Sequence, residues 1–176
     1  MKDLILCFDC GDTLVDESTQ TFAENGDVLP ALPIPGVEES LRAFKAEGYR
    51  MALIADGRVA SFQNILKGLD LWDLFDAHII SEAVGVEKPD ARMFEAALRA
   101  LGLTQSDAPR VLMFGNNIER DIVGANEMGM LSALLTYSPR YRMTPQSPAE
   151  TPAYQTSTPR DWHRIVRCAE RVRLTH

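Results

Sequence analysis

Cysteine and histidine are scarce, long apolar runs are missing, and positive charge is thin over most of the chain. The 176 residues include three cysteines (Cys7, Cys10, Cys168) and three histidines (His78, His163, His176), an odd thiol count without metal-ligand spacing. A disulfide framework and a structural zinc site are therefore excluded. No stretch approaches the roughly 20 apolar residues of a membrane span, and Met1-Lys2-Asp3-Leu4 has no signal-peptide layout, so a cytoplasmic protein is expected. There is no Gly-x-Ser-x-Gly, and the residue six after Cys10 is Asp16 where a cysteine phosphatase needs arginine. Serine-triad and cysteine-nucleophile hydrolysis lack their residues. No fixed-period repeat is present, which sets aside solenoids and propellers. Residues 138–176 carry seven arginines against three acidic residues within a chain of net charge −7, so the preceding body is strongly acidic and should repel nucleic acid.

What is present is a globular composition, 45% hydrophobic, long enough for one sizeable core. Leu4–Phe8 is a continuous apolar run that stops at Asp9-Cys10-Gly11-Asp12, the pattern of a fully buried strand ending in a polar turn. Met51–Ala55, Ala77–Ile80, Val111–Phe114 and Leu131–Leu135 repeat it, each halted by polar or glycine residues. Between them lie helical stripes: Val37/Leu41/Phe44, Val59/Phe62/Leu66/Leu69, Phe94/Ala97/Leu98/Leu101 closed by Gly102, and Ile118/Ile122/Ala125 closed by Gly129. Thr158-Pro159 has the chemistry to start a last helix whose apolar face is Trp162, Ile165, Val166, Ala169 and Val172. Twelve of the 22 residues from Ser138 to Pro159 are Pro, Ser or Thr, which predicts a surface loop. The expectation is a single α/β domain over residues 1–176, a doubly wound parallel sheet of five or six strands with helices on both faces. It carries a flap or hairpin at 15–34, a loop at 138–158 and a C-terminal helix at 159–174.

Ligands of such sheets bind beyond the carboxyl ends of the strands, where Asp9, Asp12, Asp56, Asn116, Asn117 and Asp121 accumulate. Asp9, at the tip of the first strand, qualifies as a nucleophile or as a metal ligand. Lys88, in Lys88-Pro89-Asp90, suits an electrostatic clamp on a phosphate. Asn116 and Asp121 offer oxygen ligands to a hard cation such as Mg²⁺. The same Asp and Asn residues also make ordinary caps and turns.

From Leu4 to Leu135 the chain resembles the haloacid dehalogenase-like superfamily of aspartate-nucleophile hydrolases. The resemblance rests on four motifs in order: Phe8-Asp9-Cys10-Gly11-Asp12-Thr13-Leu14, Leu53-Ile54-Ala55-Asp56-Gly57, Glu87-Lys88-Pro89, and Phe114-Gly115-Asn116-Asn117 through Asp121 to Gly124-Ala125. It implies a Mg²⁺-dependent phosphatase in which Asp9 attacks phosphorus to form an aspartyl phosphate that water then releases, with Lys88 stabilising charge. It further implies Mg²⁺ held by the Asp9 carboxylate, the Gly11 carbonyl and the Asn116 side chain, with Asp121 supporting. Asp56, Gly57, Thr13 and Asn117 would contact the substrate, a phosphorylated small molecule or a larger phosphorylated one.

Three positions depart from the family pattern. Gly11 stands where its phosphatases carry a second aspartate as acid/base, a loss worth about 10²–10⁴-fold for poor leaving groups, and adjacent Asp12 is the candidate substitute. Ala55 removes a hydroxyl, and Asn116 replaces a carboxylate with a neutral oxygen. Residues 15–34 and the stretch from Gly57 to Lys88 leave no room for a cap domain, so an open site is expected, closed by oligomer partners or serving large substrates. Two other readings stay open. One is the family's metal-free dehalogenase chemistry. The other is an inactive binding module, for which Arg160, Arg164, Arg167 and Arg171 form a basic stripe along the last helix.

Overall fold

The computed structural model describes residues 2–138 and 140–174; Met1, Pro139, Thr175 and His176 lie outside the described residues. Six strands, β1 (Ile5–Phe8), β2 (Arg50–Ala55), β3 (Ala77–Ile80), β4 (Val111–Gly115), β5 (Leu131–Leu135) and β6 (Tyr154–Thr156), form one sheet in the order β3-β2-β1-β4-β5-β6. Every pairing is parallel. The sixth strand falls inside the Pro/Ser/Thr-rich segment, which the sequence reads as loop.

The helices are α1 (Val37–Ala46), α2 (Val59–Gly68), α3 (Ser81–Val84), α4 (Ala91–Ala100), α5 (Val123–Glu127) and α6 (Trp162–Leu174). Alternate residues of each buried strand face opposite ways, so the sheet needs two apolar covers. Leu4, Leu6, Phe8, Leu53 and Phe114 pack beneath α1, α2 and α6. Ile5, Cys7, Ile54 and Met113 pack beneath α4 and α5. Phe8 stacks on Phe114 at 5.0 Å, and Trp162 of α6 lies 5.3 Å from both rings, a rigid aromatic floor directly below the strand ends. On α6, Trp162, Ile165, Val166 and Ala169 are buried as the periodicity predicts, whereas Val172 is exposed. Arg160, Arg164, Arg167 and Arg171 are exposed along this last segment.

Residues 16–34 contain one short 3₁₀ turn, Glu17–Thr19, and a narrow hairpin closed by the Phe22–Val28 bridge, with Gly26 at φ 81° in its tip. The tip is tied to α2: Val28 N–H donates to Ser61 Oγ at 2.9 Å, and Arg58 pairs with Asp27 at 2.8 Å.

At the β3 edge, His78 stacks on Trp72 at 3.7 Å, and its Nε2–H donates to the Trp72 carbonyl at 2.9 Å. Burial lowers the His78 pKa below its usual value. The unfolded chain therefore takes up this proton first, so stability is retained above about pH 6.5 and falls as pH drops from there through the lowered folded value. Urea unfolding at pH 7.5 and 5.5 should show a smaller pH-dependent loss for His78→Phe than for the unaltered chain; an equal loss would remove His78 as a cause.

Candidate active site

In a sheet of order 3-2-1-4-5-6 the chain reverses direction of winding between β1 and β4, and a crevice opens at their carboxyl ends. Asp9 follows β1 and Asn116 follows β4, with the Asp9 N–H donating to the Phe114 carbonyl at 3.0 Å. A cavity of about 270 Å³ lies there, walled by Asp9, Gly11, Asp56, Lys88, Asn116 and Asp121 among others. Its size suits a phosphoryl group with a few attached atoms.

Lys88 is the centre of the charge arrangement. It is only 4% exposed, and its ammonium spends all three donors: on Asp9 Oδ1 at 2.7 Å, on Asp121 Oδ1 at 2.7 Å and on the Ile54 carbonyl at 2.8 Å. Burial alone would lower its pKa, but Asp121, Asp9 and Asp56 outweigh that and hold it above its usual value, so it stays charged. Burial raises the Asp121 carboxyl to about 6 against the pull of Lys88. Asp121 reaches this place because β4 ends in Gly115, where any Cβ would collide with the Asp121 carboxylate.

Thr13 donates from Oγ1 to Asp9 Oδ2 at 3.3 Å and is itself fully buried, so it supports Asp9 from behind. Asp56 Oδ1 accepts the Lys88 N–H at 2.9 Å while Oδ2 pairs with Arg120 at 3.1 Å. Gly57, at φ 148°, donates its N–H to Ser81 Oγ at 2.8 Å. Asn117 borders the cavity, but its Oδ1 caps the following turn by accepting from the Glu119 and Arg120 N–H groups. Cys10 lies against the site with its thiol pushed well up by burial, which leaves it protonated and unreactive.

Asp12 and the buried Thr13 sit differently from the sequence reading, off the cavity wall. Asp12 borders a separate cleft of about 520 Å³ shared with Tyr137 and Thr158. With φ at 50° it turns out of the line of the strand, and its Oδ1 accepts the Glu17 N–H at 3.0 Å. Asp121 has both oxygens engaged, Oδ1 by Lys88 and Oδ2 by the Asn117 N–H at 3.0 Å. It braces the lysine and also borders the cavity.

Among the described residues no group of three or more His, Cys, Asp or Glu is arranged to hold a metal alone. Of the residues that line the cavity, the Asp9 carboxylate, the Gly11 backbone and the Asn116 amide are those the resemblance assigns to a metal, with Asp121 in support. Asn116 is 2% exposed, and its amide nitrogen is buried without a hydrogen-bond partner, so no protein group fixes the amide. One charged and two neutral oxygens fit a Mg²⁺ ion that keeps several waters and takes further oxygens from a phosphate.

Residues that sequence reasoning missed complete the wall: Glu17, Gln20, Arg58, Arg120 and Tyr141. Burial raises the Glu17 pKa, with Arg140 opposing. Glu17 and Tyr141 come from the segments at 16–34 and 138–158, which carry no periodic signal and reach the site only through the fold.

Taken together, the geometry defines an α/β protein with a lysine-bridged carboxylate at the switch point of a doubly wound parallel sheet. A sequence model of the haloacid dehalogenase-like hydrolases matches residues 19–129, and the chain belongs to that family. It is 38% identical over 106 residues to a glyceraldehyde 3-phosphate phosphatase of Methanothermobacter thermautotrophicus, covering 60% of this chain and 45% of that protein. It is 35% identical over 119 residues to the pyrimidine 5'-nucleotidase YjjG of Escherichia coli, covering 68% and 51%. The chain thus spans about half the length of these curated relatives. The crystal structure of the putative HAD-hydrolase YfnB from Bacillus subtilis, bound to magnesium, superposes with a TM-score of 0.74 at 14% identity over 93% of this chain and 98% of that one, a likeness of fold.

Proposed function

We propose that this chain is a Mg²⁺-dependent phosphohydrolase that cleaves small phosphate monoesters through an aspartyl phosphate on Asp9. The observation that carries the reading is Asp9 itself, held in place by a buried ammonium with no donors to spare and lining a cavity of phosphate-ester size. Relatives named as a glyceraldehyde 3-phosphate phosphatase and a pyrimidine 5'-nucleotidase support the substrate class.

Asp9 attacks phosphorus, the bond to the leaving oxygen breaks, and water later cleaves the acyl phosphate and restores the carboxylate. Lys88 holds Asp9 in one orientation and offsets the negative charge that gathers when a phosphate enters. Asp9, the Gly11 carbonyl and Asn116 would hold the metal, which when bound neutralises phosphoryl charge and aligns the group with the nucleophile. Asp56 orders the Lys88 backbone, and Arg120 closes the far side of the wall. Among the described residues no helix is long and apolar enough to cross a membrane, and a cytoplasmic location with soluble phosphate esters goes with this reading.

The test is phosphate release by the full chain from p-nitrophenyl phosphate and from a panel of small phosphate monoesters, in Mg²⁺ and in EDTA. Turnover that requires Mg²⁺ is expected. No release from any ester in Mg²⁺, together with no Mg²⁺ binding by calorimetry, would sink the proposal in favour of a binding module.

A further inference from the structure

Gly11 leaves a gap beside Asp9, and another residue fills it. A Cβ built on Gly11 would overlap Glu17 Oε1 and stand 2.7 Å from its Cδ, so a carboxyl group occupies the space that a side chain at position 11 would enter. Glu17 lines the same cavity as Asp9. Its place is fixed from two sides. Its N–H donates to Asp12 Oδ1 at 3.0 Å, and its Oε2 pairs with Arg140 at 2.5 Å, while Arg140 Nε also pairs with Asp12 Oδ2 at 2.8 Å. Oε2 is thereby committed to Arg140, and Oε1 is the oxygen left over Gly11.

We propose that Glu17 is the acid/base of the reaction, delivered by the 16–34 segment to the place that Gly11 leaves open, with Asp12 and Arg140 as its positioning residues. This rests on the phosphohydrolase reading. In the first step an Asp9 oxygen bonds to phosphorus, the P–O bond to the leaving group breaks, and the Glu17 proton passes to the departing oxygen. In the second, water bonds to phosphorus, gives its proton to the Glu17 carboxylate, and the bond between phosphorus and Asp9 breaks. Glu17 ends as it began.

The test compares the full chain with Glu17→Gln on p-nitrophenyl phosphate, whose leaving group needs no proton, and on an alkyl ester such as glycerol phosphate, which does. For Glu17→Gln, alkyl ester turnover should fall about 10²–10⁴-fold. On p-nitrophenyl phosphate the first step should survive and the second should stall. Rapid-mixing experiments should then show a burst of one p-nitrophenol per chain, and intact-mass analysis a phosphoryl group retained on the protein. A Gly11→Asp/Glu17→Ala double variant should recover alkyl turnover, because the new carboxyl enters the space that the shortened side chain vacates. A purely structural Glu17 would give equal losses on both esters, with no burst and no rescue, and that result would overturn the proposal. Unchanged alkyl turnover in a folded Glu17→Gln would overturn it as well. If the unaltered chain releases phosphate from neither ester, the phosphohydrolase reading has failed and this one falls with it.

Discussion

Replacing Lys88 by methionine should lower the unfolding free energy by about 3–5 kcal/mol and abolish turnover, the largest stability loss expected from a single polar substitution in this chain. Methionine nearly preserves the volume, so the loss is electrostatic. The variant leaves the Asp121 carboxylate buried with the Asn117 N–H as its remaining bond, and it strips the Ile54 carbonyl of its ammonium donor. Removing one partner of a buried charge cluster costs far more than the cluster contributes over an apolar replacement, because the survivors keep their desolvation penalty. For a domain of this size the loss corresponds to a melting temperature roughly 6–20 °C lower, measurable by calorimetry or circular dichroism. Lys45, paired with Asp76 at 2.7 Å but more than a third exposed, is the internal control. Lys45→Met should cost less than about 1 kcal/mol, since water screens that pair. Lys88→Arg should not rescue the loss. Three acceptors converge on one nitrogen, and a planar guanidinium cannot meet that geometry. Equal small losses at Lys88 and Lys45 would refute the central role assigned to the buried ammonium.

The parts of this arrangement that could be read from the chain are those where a local signal and the fold agree. Apolar runs located five strands, and the polar residues that stop them are the ones the sheet gathers at its switch point. The edge strand β6 gave no such signal, because Tyr154-Gln155-Thr156 is paired on one side only and is not buried throughout. The apolar stripe through Ile118 and Ile122 predicts a regular helix, yet its first turn is wide, with the Ile122 N–H reaching the Asn117 carbonyl at 3.3 Å. Over that same turn Asp121 folds back to accept from the Asn117 N–H. Lys88 is ordinarily a surface residue type, and only the convergence of three acceptors accounts for its burial. Glu17 follows Gly11 by six residues at no characteristic spacing, and the turn at Asp12 that brings it back over the site is a left-handed backbone conformation that aspartate adopts without advertising it.

Asp9→Asn should stop phosphate release altogether, a loss of about 10⁴-fold or more, because an amide oxygen is too weak a nucleophile to attack phosphorus. The fold should persist. An amide oxygen at position 9 still accepts from Lys88, Asp121 still balances the ammonium, and Asp9 sits at the cavity edge where water reaches it, so a stability change of about 1–2 kcal/mol is expected, well short of the Lys88→Met effect. That separation matters: one variant is inactive while folded, the other inactive through the loss of a buried charge balance. Activity with thermal melts on both proteins distinguishes them. Asp9→Asn should also show no p-nitrophenol burst, in contrast to Glu17→Gln, since no acyl phosphate can form. Full turnover in Asp9→Asn would require another nucleophile on the cavity wall, and the geometry offers poor ones. Asp56 has both oxygens bound, by the Lys88 N–H and by Arg120; Asp121 has both bound, by Lys88 and by the Asn117 N–H; and the Cys10 thiol is kept protonated by burial. Glu17 is tied through Oε2 to Arg140 and reaches the site from a loop, whereas Asp9 is the carboxylate that follows a central, fully buried strand and can be held still for in-line attack.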